Sequence, residues 1–166
     1  MYQKLIRRLG AGLATAGLIL GGTIIGAAPA SAAESCQNLV TRYEVTEASV
    51  PIVIGTLNVN RSACDDGSAL TSSSTSLTFD TTGPGAAAGW NFGTPSTSLS
   101  GTSGLTAGYT SSGSLQLCVA SASPLCADTE TFTVTNSVFG PSFVGPVTLP
   151  TVACENAACK LNFARQ

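Results

Sequence analysis

Few side chains in this sequence can do chemistry: Cys36, Cys64, Cys118, Cys126, Cys154 and Cys159, a scatter of carboxylates, and Lys160, with no histidine anywhere. Without an imidazole, neither a Ser-His-Asp nor a Cys-His nucleophilic arrangement can be built. A Ser-Lys pair would have to use Lys160, whose neighbour Cys159 marks it as a solvated strand residue beside a bridge. Glycoside hydrolysis needs only two carboxylates, and Glu44, Glu47, Asp65, Asp66, Asp80, Asp128, Glu130 and Glu155 are on offer. Asp65-Asp66-Gly67 reads as a turn, in which aspartate side chains accept from nearby backbone N–H groups. No alternating D-x-D-x-D-G run suggests a calcium loop. The expectation is a protein that is not an enzyme, with no catalytic residues, no metal and no cofactor.

The six cysteines are even in number, include no Cys-x-x-Cys, and all follow residue 32. That pattern predicts a disulfide framework in an oxidising compartment rather than a zinc site. Sequence alone does not choose among the possible pairings. Proximity favours Cys118–Cys126 and Cys154–Cys159 as local staples, leaving Cys36–Cys64 to fix the N-terminal segment.

Export is also expected from the start of the chain. Lys4, Arg7 and Arg8 are followed by an uncharged run from Leu9 to Ala28 and then by Ala30-Ser31-Ala32. A positive leader, an apolar stretch and small residues at the scissile site make a secretory signal, with cleavage placed after Ala32. An uncleaved anchor is the rival, since the apolar run approaches the ~20 residues that span a bilayer. Six glycines in the leader and Pro29 at its end argue against a stable spanning helix. Residues 1–32 are thus read as a signal peptide and 33–166 as a single secreted domain, expected at the bacterial cell exterior or wall. Only Arg42, Arg61, Lys160 and Arg165 remain basic in that domain against nine acidic residues. Such a mildly acidic chain without a basic cluster excludes nucleic acid as a partner, and stable membrane insertion after cleavage is not expected.

Hydrophobic alternation, not a helical period, organises the domain. Val53, Gly55, Leu57 and Val59 share one face of a candidate strand. Leu115, Leu117 and Val119 alternate with Ser114 and Gln116; Phe132, Val134 and Val138 alternate with Thr131, Thr133, Thr135 and Ser137; Leu161 and Phe163 alternate with Lys160 and Asn162. These are half-buried antiparallel strands. Further strands are expected over 42–47, 76–80, 105–110 and 144–149, the last at an edge or bulge because of Pro146. Turns are expected at 65–67, 82–85 and 140–141. The Ser/Thr-rich stretches 70–76 and 94–103 are punctuated by Leu77, Phe79, Leu99 and Leu105, and so read as polar outer strands with their loops. The expected fold is an all-β, disulfide-stabilised antiparallel β-sandwich of immunoglobulin-like type.

Binding, then, is the expected role: a secreted binding or structural module of the cell exterior whose partner is an unknown protein, a glycan or a small apolar ligand. Trp90, Tyr43 and Tyr109 are the aromatics available for contact with a sugar, although a lone tryptophan in a small β-domain is more often core. Asn60-Arg61-Ser62 fits a glycosylation sequon. The loop Cys118-Val119-Ala120-Ser121-Ala122-Ser123-Pro124-Leu125-Cys126 resembles the disulfide-closed reactive loop of Bowman–Birk-type serine-protease inhibitors. The resemblance places Ala120 at the primary-specificity position, Ser121 after the scissile bond and Pro124 on the far side, with Val119 completing the binding loop. That family has a proline where Ser123 stands. Separately, Cys154-Glu155-Asn156-Ala157-Ala158-Cys159, with an earlier short cysteine pair, resembles the neocarzinostatin-type apoproteins. That likeness implies an immunoglobulin-like sandwich carrying an apolar chromophore in a cleft.

Overall fold

Strict alternation continues further along the chain than its apolar residues alone reveal. In the computed structural model, which describes residues 33–49, 51–118 and 126–166, strand β2 (Val53–Asp65) buries Leu57, Val59, Arg61, Ala63 and Asp65 on one face. Strands β1 (Ser35–Glu47) and β3 (Leu70–Thr81) flank it, and β9 (Leu161–Arg165) adds to the free side of β1, giving the order β3-β2-β1-β9. The second sheet holds β4 (Trp90–Phe92), β5 (Ser96–Ser103), β6 (Thr106–Cys118), β7 (Cys126–Phe139) and β8 (Thr151–Cys154). The expected signal segment and the loop residues Val119, Ala120, Ser121 and Pro124 lie outside the described residues.

β4 and β5 run end to end along β6, pairing with Leu115–Leu117 and with Thr106–Ser112 respectively. Gly93 still donates to the Ser114 carbonyl, but Pro95 has no N–H to offer, so the strand breaks there. Taken as one broken strand, β4/β5 leaves eight strands, four in each sheet, and β9 returns antiparallel to β1. Every other hydrogen-bonded neighbour is then consecutive in sequence. The expected antiparallel sandwich is present, but its connectivity is an up-and-down meander. The Greek-key crossovers that define an immunoglobulin-like sandwich are not the connections found among the described residues.

Two apolar clusters fill the space between the sheets. The larger contains Tyr43, Val45, Leu57, Val59, Leu77, Trp90, Leu115, Phe132 and Val134. Through it runs a series of rings, Phe79 to Phe92 (5.7 Å), Phe92 to Phe132 (6.4 Å) and Phe132 to Phe163 (5.1 Å), which link strands of both sheets. The smaller cluster contains Ala63, Ala107, Tyr109 and Val138. Between them each central strand contributes a buried polar residue: Thr41 on β1, Arg61 on β2, Ser111 on β6 and Asn136 on β7.

Two expectations need correction. The turn expected at 82–85 opens a short helix, α1 (Gly83–Ala88). The Thr82 hydroxyl caps it by accepting from Gly85 N–H, and Gly89 ends it at φ 88°. Gly85 is required there, since a Cβ would run into the Ile54 carbonyl. The strand expected over 144–149 does not form. Pro141, Pro146 and Pro150 remove ladder donors at short intervals, and β8 begins only after the last of them. Val144, Val147 and Leu149 are consequently exposed, and the Tyr43 hydroxyl donates to the Pro150 carbonyl to hold the segment.

The three bridges form with the pairing that proximity favoured: Cys36–Cys64, Cys118–Cys126 and Cys154–Cys159. The first two join residues directly opposite one another in the β1–β2 and β6–β7 registers. A different tie operates at the end of β2. The Asp65 carboxylate is fully buried and accepts from Ser142 N–H (2.8 Å), Ser142 Oγ (2.6 Å) and Gly67 N–H (2.9 Å), fastening the first sheet to the segment after β7.

The hydrogen bond from the Ser142 hydroxyl, more than any other contact, holds the Asp65 carboxyl below its ordinary value of 3.8. Donation from Ser68 and from the Ala69 backbone lowers neighbouring Asp66 to about 2. Both depressed values mean that the unfolded chain takes up these protons first as pH falls. The stabilisation is therefore complete above the ordinary value and drains as pH drops through the folded ones. The melting temperature is expected to be flat above about pH 5 and to fall between about pH 4 and pH 2. Asp65→Asn should lower the plateau by several degrees and make the acid limb shallower; an unchanged acid limb would count against the role given to Asp65.

Candidate functional site

On the outer face of the first sheet the residues that point away from the core line up in rows across three strands. Register places Asn38 opposite Ser62 and Ser62 opposite Ser74; the next row is Val40, Asn60 and Ser76. Strands lie ~4.8 Å apart and successive rows ~6.7 Å apart, so the face presents a regular grid of amides and hydroxyls. These two rows floor a shallow depression of about 290 Å³, lined also by Leu39 and the base of Arg61.

The two rows themselves are neutral, and Arg61 is the one charged residue in the lining. The Arg61 side chain is buried, its Nη2 donating to Thr41 Oγ1 (2.8 Å) and its Nη1 to the Ser137 carbonyl (3.4 Å) on the other sheet. Asn60 is positioned by donation from its Nδ2 to Thr78 Oγ1 (3.3 Å) and by the Thr75 hydroxyl on its carbonyl (3.0 Å). Charged side chains begin only in the rows beyond, where Arg42 faces Asn58, and Asp80 accepts from Asn58 Nδ2 (2.8 Å). Val40 is 52% exposed and Leu39 39%, which sets apolar surface directly beside the amides. What the two rows offer is neutral hydrogen bonding and C–H contact.

The residues singled out from sequence distribute differently. Tyr43, Trp90 and Tyr109 are all interior, at 6%, 4% and 8% exposure, because each occupies an inward register position. The Tyr109 hydroxyl bonds to Ser73, and Trp90 packs in the larger cluster. None of the three faces the surface as a sugar platform would require. Among the carboxylates, Asp65 and Asp66 are held by loop donors, Asp80 by Asn58 and Glu155 by Thr133. Glu34 lies beside Cys36 and Cys64, but both sulfurs are committed to their bridge. The Cys118–Cys126 bridge closes the end of the β6–β7 hairpin, while the loop it encloses lies outside the described residues.

Sequence reading missed the depression. Its one signal was available in the alternation of 53–59, which extends through Arg61 and Ala63 and thereby turns Asn60 and Ser62 outward. No family model, curated protein or solved structure matches this chain.

Proposed function

We propose that this chain is an exported, non-enzymatic binding or structural module of the cell exterior, and that the outer-face depression seats a neutral, hydroxyl-rich ligand of the glycan class. The observation that carries the reading is the floor of the depression: neutral amide and hydroxyl groups in two cross-strand rows with Val40 beside them. A sugar ring offers the complementary pattern of hydroxyl edges and C–H faces. Export agrees with the three disulfides, which point to an oxidising, extracellular compartment. Among the described residues, no helix is long and apolar enough to cross a membrane. A small apolar ligand is less well supported, since stacked phenylalanines occupy the space between the sheets.

The test is retention of the purified domain on insoluble neutral polysaccharides. Val40→Glu and Asn60→Asp put carboxylates into the depression at surface positions, where folding should change by no more than about 0.5 kcal/mol. Each is expected to weaken retention about tenfold, the loss of roughly one good contact. Absence of retention, or retention that survives both substitutions, defeats the reading.

Serine-protease inhibition is the second reading. In its favour, Cys118 and Cys126 face each other at a hairpin end and are bridged, so both anchors of the loop are fixed in advance. The domain should then slow an elastase-like protease, and Ala120→Asp should abolish the effect. No slowing at micromolar protein ends this reading.

A further inference from the structure

The polar rung between the two apolar clusters carries a charge for which no carboxylate partner is found among the described residues. Arg61 is 6% exposed, and its hydrogen bonds go to neutral oxygens, Thr41 Oγ1 and the Ser137 carbonyl. Its Nε–H has no hydrogen-bond partner among the described residues. Asn136, 3% exposed and next to Ser137 on β7, points inward like Val134 and Val138, and both polar atoms of its amide are likewise unpartnered. Since Arg61 reaches the Ser137 carbonyl, its guanidinium and the Asn136 amide lie in the same layer of the sandwich. A buried cation without a counter-charge, and buried amides without partners, are each costly arrangements.

We infer that this layer is a binding site for a small monovalent inorganic anion of halide size. The anion accepts from Arg61 Nε–H and from Asn136 Nδ2–H, and its charge balances the guanidinium. The Asn136 Oδ1 then needs a hydrogen donor beside it, which a water molecule supplies. The neighbouring buried residues are Thr41, which accepts from Arg61, and Tyr43 on β1, with Tyr109, opposite Asn136 in register, and Ser111 on β6. Tyr109 is committed to Ser73 and Ser111 to Thr97 Oγ1, which leaves Arg61 and Asn136 as the recognising pair. Burial also pulls the Arg61 guanidinium below its ordinary value, in line with a cation held out of water. The anion acts as part of the fold, linking β2 to β7 through the interior.

Bromide is the probe, because it has the size of the proposed ligand and scatters X-rays anomalously. Thermal unfolding of the disulfide-intact protein is compared in sodium bromide and in sodium gluconate at equal ionic strength, gluconate being too large to enter. Binding to the folded state alone raises the melting temperature with the logarithm of ligand concentration once the dissociation constant is passed. A shift of several degrees in bromide over gluconate is expected, together with an anomalous peak beside Arg61 in bromide-soaked crystals. Arg61→Met keeps the apolar stem and removes the charge, a change that buried ion sites commonly tolerate. It should abolish both signals. Equal melting temperatures in the two salts, a bromide shift that persists in Arg61→Met, or crystals with no anomalous peak at Arg61 would each overturn the proposal. The crystallographic result on the unaltered protein decides the matter even if the variant fails to fold.

Discussion

Truncating Phe132 to alanine is expected to destabilise the domain by about 3–5 kcal/mol, the range for a fully buried aromatic whose site cannot collapse. Phe132 has 0% exposure and is the ring that both Phe92 and Phe163 contact, so its removal interrupts the series at its centre. The backbone is matched to it. Gly113 stands directly opposite in the β6–β7 register, and a Cβ at that position would lie 2.6 Å from the tip of the Phe132 ring. Gly113→Ala is therefore expected to cost about 1–3 kcal/mol by overpacking. Combined with Phe132→Leu it should cost less than the sum of the single changes, because the smaller side chain makes room. Urea unfolding with the bridges intact measures all three, and a shift in midpoint at constant slope identifies a change in stability. A loss below about 1.5 kcal/mol in Phe132→Ala would mean that the ring series is not the centre of the core.

Removing the Cys36–Cys64 bridge should have a comparable effect through the unfolded chain. Its partners are 28 residues apart, against 8 and 5 for the other two bridges. Loop-closure entropy then assigns about 3.5 kcal/mol to the first, about 2.5 to the second and about 2 to the third. Paired Cys→Ser substitutions, melted one bridge at a time, should reproduce that order. If the Cys154–Cys159 pair proved the most costly to remove, entropy of the open chain would not be the governing factor. Strain or lost packing in the folded state would then have to be.

Much of this architecture could be read from residue order. The Thr/Val/Phe alternation of 131–138 and the Val/Leu alternation of 53–59 each fall within the strands they predict, because one face of each is buried and a slip by one residue would invert it. Spacing also anticipated the cysteine pairs, since local bridges need only a hairpin or a short loop. What resisted reading was whatever depends on partners distant in sequence. Asp65 looked like an ordinary turn residue, and only the arrival of Ser142 from the segment after β7 makes it an interior clamp. Arg61 drew notice only as one of four basic residues and as the middle of a sequon, although its register position between Val59 and Ala63 sends it inward. The apolar stretch around Val144 mimicked a strand, and three prolines denied it a ladder. The depression is less legible still. Asn38, Ser62 and Ser74 meet only through two separate hairpin registers, and nothing in their identity distinguishes them from any other polar strand positions.

The seam between β1 and β9 ties residues 43–47 to residues 161–165, so the first sheet is completed by segments drawn from opposite ends of the described sequence. Long-range pairing of this kind forms slowly, because chain freedom is surrendered well before the contacts return it. Until β9 arrives, one flank of β1 shows bare N–H and C=O groups to any passing strand. The latch of the molecule thus closes late, leaving β1 open through much of assembly and covered once β9 is in place.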